Sequence, residues 1–240
     1  EGTALGPVFA FFPPVLALTP RPDHDHDPDP EAEIARHAGA VAAVAADFAR
    51  AGARPGIGTD AAGILAALTD IAHDADFASE VQAAIRAGQD AASATLAVGT
   101  RLADSFEAMA DPYIRARAED MRSVTRQIVL ALTGQRDVSL ADMPAGAVIV
   151  ADEITAWDLA RARLSEVAGI VCRKGAATSH VAIMARAYAI PAVLGVPLPE
   201  ERLRAARRIG LDGATGAVFP DPDPETVRRL AEAIAAETAE

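Results

Sequence analysis

The chain has 240 residues, with one cysteine, one tryptophan and only 4% aromatic side chains. A single thiol, Cys172, excludes an internal disulfide and sets the expectation of a reducing, cytoplasmic location. Cys172 closes the apolar run Ala168-Gly169-Ile170-Val171-Cys172, which reads as a buried strand and not as the setting of a reactive thiol. With 51% hydrophobic residues and so few aromatics, alanine carries much of the apolar content, which favours closely packed helices over a thick β-sandwich. No apolar run is long enough to span a bilayer and no signal peptide is read, so no membrane insertion is expected. Positive charge is also scarce: 22 Lys and Arg face 34 Asp and Glu, for a formal charge of −12. That balance argues against nucleic acid and anionic membranes, and suits a basic protein partner steered by charge.

Along the chain, residues 4–18 read as extended, and Arg21-Pro22-Asp23-His24-Asp25-His26-Asp27-Pro28-Asp29-Pro30 as a polar linker that cannot build a core. From Glu31 to Gly134 the pattern is helical throughout. Helices are expected over 31–51, 59–72, 76–87 and 89–109. A further one runs from the Asp111-Pro112 start to Leu132, with Gly134 as its C-cap. Consecutive helices with short links make an antiparallel, four-helix-type bundle over residues 31–134. From Ala147 the rhythm alternates between strand and helix, the signature of a layered βαβ domain. The N-terminal strand is expected to join that domain. This gives a discontinuous α/β unit of residues 1–20 and 142–222, a helical insertion, and a linker helix at 223–240.

The densest chemical signal is Gly175-Ala176-Ala177-Thr178-Ser179-His180, running into Val181-Ala182-Ile183-Met184-Ala185-Arg186. A loop of small residues delivers one histidine to a helix start. Thr178 is the expected N-cap, with Ser179 and His180 in the first turn. Free N–H groups and the positive dipole end seat an anion such as phosphate there. They also disfavour the imidazolium, leaving a ring nitrogen free as a nucleophile. Gly175 and the alanines let a phosphate approach closely. Together these features predict a phosphohistidine carrier. His37 and His73 lie on helices without a partner motif, and a surface or core role is the default for both.

The histidine loop resembles the mobile phosphohistidine domain of the phosphoenolpyruvate-utilising enzymes, whose signature is Gly-Gly-x-Thr-Ser-His, then Ala-Arg, then Ile/Leu-Pro-Ala. Ala185-Arg186 and Ile190-Pro191-Ala192 match its tail, while Ala176 replaces the second glycine. Two further stretches, Asp111 to Arg122 and Ala147-Val148-Ile149-Val150-Ala151-Asp152, resemble the N-terminal half of Enzyme I. This is the phosphoenolpyruvate–protein phosphotransferase of the bacterial sugar phosphotransferase system.

The resemblance implies an α/β swivelling phosphohistidine domain carrying an inserted helical bundle that docks the small carrier HPr. It implies that His180 accepts a phosphoryl group derived from phosphoenolpyruvate and passes it on. Thr178, Ser179, Gly175, Thr155 and Arg186 would support the phosphate. The partner surface would comprise Leu65, Leu68 and Ile71 as an apolar patch, with Asp74, Asp76, Glu80 and Arg117 around it. No cofactor or metal is expected in this chain, because the Mg²⁺ and phosphoenolpyruvate site belong to a C-terminal barrel in that family. Leu159 stands where the family has a threonine that assists the phosphohistidine, so Thr155 becomes the candidate hydroxyl. Altered positions such as Ala67 to Asp74 point to a specialised paralogue, from a nitrogen-related or multidomain phosphotransfer protein. The alternatives are the swivelling domain of a dikinase or synthase, and a non-catalytic module that binds a carrier.

Overall fold

A computed structural model describes residues 2–16, 18, 29–55, 57–175 and 179–238. The chain divides into two compact units, one from Glu1–Pro13 with Val138–Glu240, the other Pro14–Asp137.

The second unit is helical, with α1 (Pro30–Gly52), α2 (Thr59–Ala72), α3 (Ala75–Arg86), α4 (Ala91–Glu107) and α5 (Pro112–Thr133). Aspartate starts most of them. The side chains of Asp29, Asp74, Asp90 and Asp111 accept backbone N–H bonds at the heads of α1, α3, α4 and α5, satisfying donors that have no partner inside the helix. As expected, α5 opens on Pro112 and ends at Gly134 in the left-handed conformation, φ 66°. Its Arg122 pairs with Asp104 and Glu107 of α4. Arg126 grips Asp137 with two nitrogens at 2.7 and 3.1 Å.

α4 and α5 cross closely at Gly99. A Cβ placed there would overlap the Thr125 side chain, with Thr125 Cβ at 2.8 Å. Alanine-rich helices with such a glycine can approach nearer than leucine-rich ones, which is how a chain poor in aromatics fills this core.

The apolar stripe of α2 turns inward. Leu65 and Leu68 are each 1% exposed and Ile71 is 8% exposed, packed where α2 meets α1 and α5. The expectation that these three form an open docking patch is therefore corrected. Their spacing along the helix marks one face, and that face is the core side.

The other unit holds a six-stranded sheet in the order β4-β3-β2-β1-β5-β6. The strands are β1 (Thr3–Phe11), β2 (Ala147–Ala151), β3 (Val167–Cys172), β4 (Ala192–Leu194), β5 (Arg208–Asp212) and β6 (Ala217–Pro220). β1 runs parallel to β2, β2 to β3 and β3 to β4, while β5 and β6 are antiparallel. Every residue of β2 is buried, which explains its unbroken apolar run: a central parallel strand is covered on both faces. Cys172 is 1% exposed at the end of β3, as its sequence context predicts.

Four helices complete this unit: α6 (Ala156–Arg161), α7 (His180–Ala187), α8 (Glu200–Ala205) and α9 (Pro224–Thr238). α6 is short, because the chain turns extended at Ala162 and enters a 3-10 turn at Leu164–Glu166. α9 packs against β1 and β5. Its Leu230 is 3% exposed, and its Glu237 carboxylate accepts hydrogen bonds from the Thr3 N–H and hydroxyl at 2.9 and 2.7 Å.

Candidate functional site

Parallel strands β2 and β3 end side by side, so the segments after them emerge at one edge of the sheet, where open α/β folds place their ligand sites. The first of these segments leads into α6 and the second into α7, and the two helices pack together. Register extends past the strands. The Arg173 N–H donates to Ala151 O at 3.0 Å and the Lys174 N–H to Asp152 O at 2.9 Å. The chain then turns at Gly175, φ 103°. That conformation favours glycine, and a Cβ there would lie 3.8 Å from Ser179 Oγ and from Leu194 Cδ1.

His180 is the first residue of α7, half-buried. The N-cap is Ser179, whose hydroxyl accepts the Ala182 N–H at 3.4 Å. This moves the cap one residue beyond the expected Thr178, which with Ala176 lies outside the described residues. The shift matters, because it puts the imidazole at the first helical position, beside N–H groups without intrahelical acceptors.

Thr155 is the N-cap of α6 in a reciprocal box with Asp158. The Thr155 hydroxyl donates to Asp158 Oδ2 at 2.7 Å and accepts the Asp158 N–H at 3.2 Å. Its only proton is thus committed, so towards an imidazole it can act only as an acceptor. Leu159 is fully buried and offers no hydroxyl. Trp157, the lone tryptophan, is 8% exposed, with the Arg161 guanidinium over its ring at 5.6 Å.

Arg186 is exposed in the last turn of α7, roughly 9 Å along the axis from His180 at 1.5 Å per residue, where its charge complements the negative end of the helix.

Of the acids expected at the partner surface, Asp74 and Asp76 are exposed, with Asp74 also capping Phe77 N at 2.8 Å. Glu80 pairs with Arg101. Arg117 lies over the ring of Tyr113 at 5.8 Å, and Tyr113 is 71% exposed.

His37 is 2% exposed, edge-on to Phe77 with ring centroids 6.3 Å apart. Its Nε2 has no hydrogen-bond partner among the described residues, and burial lowers its pKa below the ordinary 6.5. Among the described residues, no group of three His, Cys, Asp or Glu comes together as a metal site. Among the same residues, no helix is long and apolar enough to cross a membrane.

Comparison with known proteins identifies the family. A family model for the PEP-utilising enzyme, N-terminal part, matches residues 1–117, and one for the PEP-utilising enzyme, mobile domain, matches residues 143–216. A phosphoenolpyruvate-protein phosphotransferase of Haloferax volcanii is 33% identical over 181 residues, covering 75% of this chain and 32% of the relative. One from Staphylococcus carnosus is 28% identical over 235 residues, covering 97% of this chain and 40% of the relative. The chain therefore spans about a third of the length of the curated relatives it matches. A solution structure of Enzyme I is similar at TM-score 0.75 and 28% identity, covering 99% of this chain and 96% of that one. The N-terminal domain of Enzyme 1 - Nitrogen is similar at TM-score 0.57 and 28% identity, covering 98% and 96%.

Proposed function

Because the chain belongs to the phosphoenolpyruvate-utilising enzymes, in their Enzyme I group, we propose that it is the phosphoryl-carrying part of a phosphoenolpyruvate–protein phosphotransferase. His180 takes a phosphoryl group derived from phosphoenolpyruvate and passes it to the histidine of an HPr-like carrier. The observation that carries this reading is the placement of His180 as the first residue of α7, at the shared edge of β2 and β3.

The Nε2 lone pair attacks phosphorus in line with the departing enol oxygen of phosphoenolpyruvate, or in the reverse direction with the departing ring nitrogen of the phosphorylated carrier, while Nδ1–H is held by an acceptor that fixes the tautomer. Ser179, Thr178 and the backbone N–H groups of the first turn hold phosphoryl oxygens. Thr155, restricted to accepting, is suited to Nδ1–H. No metal is assigned to this chain. Phosphoenolpyruvate and its Mg²⁺ are assigned to a C-terminal barrel domain, and the protein to the cytoplasm.

The helical unit is the inserted bundle that docks the carrier. Exposed Asp74 and Asp76 supply steering charge, and Tyr113 with Arg117 supplies the non-polar contact that buried Leu65, Leu68 and Ile71 cannot. The test of the whole reading is incubation with phosphorylated HPr followed by mass spectrometry. One acid-labile phosphate on His180 is expected. Phosphate elsewhere, or phosphate surviving in His180→Ala, defeats it.

A further inference from the structure

Lys174 is the only lysine in the chain; every other one of its 22 basic side chains is arginine. It stands at the head of the loop that carries His180. Its backbone is fixed at the strand edge by the 2.9 Å bond to Asp152 O. The next residue, Gly175, lies beside the N-cap of α7: a Cβ placed there would be 3.8 Å from Ser179 Oγ. The Lys174 Cα is therefore anchored one residue from a backbone that closes on the residue before His180.

The neighbouring cations are spent elsewhere. Arg173 pairs with Asp152, approaches Glu200 at 3.7 Å and donates to Leu198 O at 3.0 Å, and Arg186 sits at the far end of α7. The Lys174 side chain is exposed and makes no ion pair or side-chain hydrogen bond among the described residues.

We propose that Lys174 is a phosphoryl-binding residue of the His180 site, an inference that rests on the carrier reading above. A flexible ammonium with three donors suits a group that must be held in transit and then released, whereas a guanidinium fork would clamp it in one geometry. In the transfer, the Nε2 lone pair of His180 forms the new N–P bond as the P–N bond of the donor breaks, and that electron pair returns to the donor nitrogen. Lys174 keeps all its protons and offsets the negative charge spread over the three phosphoryl oxygens.

The test uses phosphoramidate as a small phosphoryl donor, which loses ammonia as His180 gains phosphate, on the full chain followed by intact mass. Removing the ammonium in Lys174→Met slows His180 phosphorylation about tenfold or more, and Lys174→Arg restores most of the rate. A second readout is the ³¹P titration of phosphohistidine. Losing a nearby cation raises the pKa of the last phosphoryl ionisation, which a merely structural role would leave unmoved. Equal rates and equal titrations in wild type and Lys174→Met overturn the role of Lys174 alone. A folded wild type that takes no phosphate on His180 removes the carrier reading, and the Lys174 role with it.

Discussion

The Glu33 carboxylate of α1 accepts the backbone N–H of Ala91, the first residue of α4, at 2.7 Å across 58 residues of sequence. Glu33 is 5% exposed, and its second oxygen accepts Arg36 Nη1 at 2.5 Å. A carboxylate from one helix thus caps another, in addition to the cap that Asp90 provides. Glu33→Ala strands a buried donor and should cost about 2 kcal/mol, whereas Glu33→Gln keeps an acceptor and should cost roughly half that. Urea unfolding of both variants measures the difference; equal costs would show that hydrogen bonding there is immaterial.

His37 makes stability depend on pH. With its folded pKa lowered by burial from 6.5, the unfolded chain binds a proton below that pH and the folded chain does not. Stability is complete above about pH 6.5. It falls as pH drops, by up to roughly 1.4 kcal/mol per unit, until the folded pKa is reached. Comparing urea midpoints at about pH 7.5 and about pH 5.5 in wild type and His37→Leu isolates the contribution. The variant should show the flatter profile, and a slope identical to wild type would refute the assignment.

Gly99 and Thr125 should be energetically coupled. Gly99→Ala forces a methyl into Thr125 and should destabilise by about 1–3 kcal/mol. Adding Thr125→Ala removes the hydroxyl and methyl that crowd it, and also deletes a buried hydroxyl that has no hydrogen-bond partner among the described residues. A double-mutant cycle should therefore recover part of the loss. Strict additivity would mean that the two helices simply move apart.

Phosphoenolpyruvate with Mg²⁺ should leave the 240-residue chain unlabelled, while phosphorylated HPr labels it. The described residues bring together no cluster of three metal-ligating side chains, and transfer between two histidines requires none. Radiolabel entering from phosphoenolpyruvate alone would relocate the donor site into this chain.

Much of the architecture was legible because local chemistry and tertiary packing agree. Asp111-Pro112 and Gly134 bound α5 as capping physics requires, and α2 spans Thr59–Ala72 as its pattern predicts. Where sequence misled, a long-range partner decided the outcome. The spacing of Leu65, Leu68 and Ile71 announces an apolar face but not which way it turns. Thr178 and Ser179 are equally good caps by residue type, and it is the Ser179 hydroxyl that accepts the Ala182 N–H. α8 is not legible in the sequence because Glu200–Ala205 is too short to show a helical period.

Strand β1 is synthesised long before anything it pairs with. Val8 must wait for Val148, and Leu5 for Gly210, so the helices α1 to α5 emerge from the ribosome first. Their contacts are comparatively local and form early, whereas the sheet closes only after a long chain loop has been gathered. Through that interval Thr3–Phe11 is an apolar segment with open hydrogen-bonding edges, the kind that nucleates aggregation. Pro7 inside it removes one donor, and Pro13-Pro14 just beyond it stop the strand from lengthening. The prolines that punctuate this first strand thus guard the nascent chain until its partners arrive.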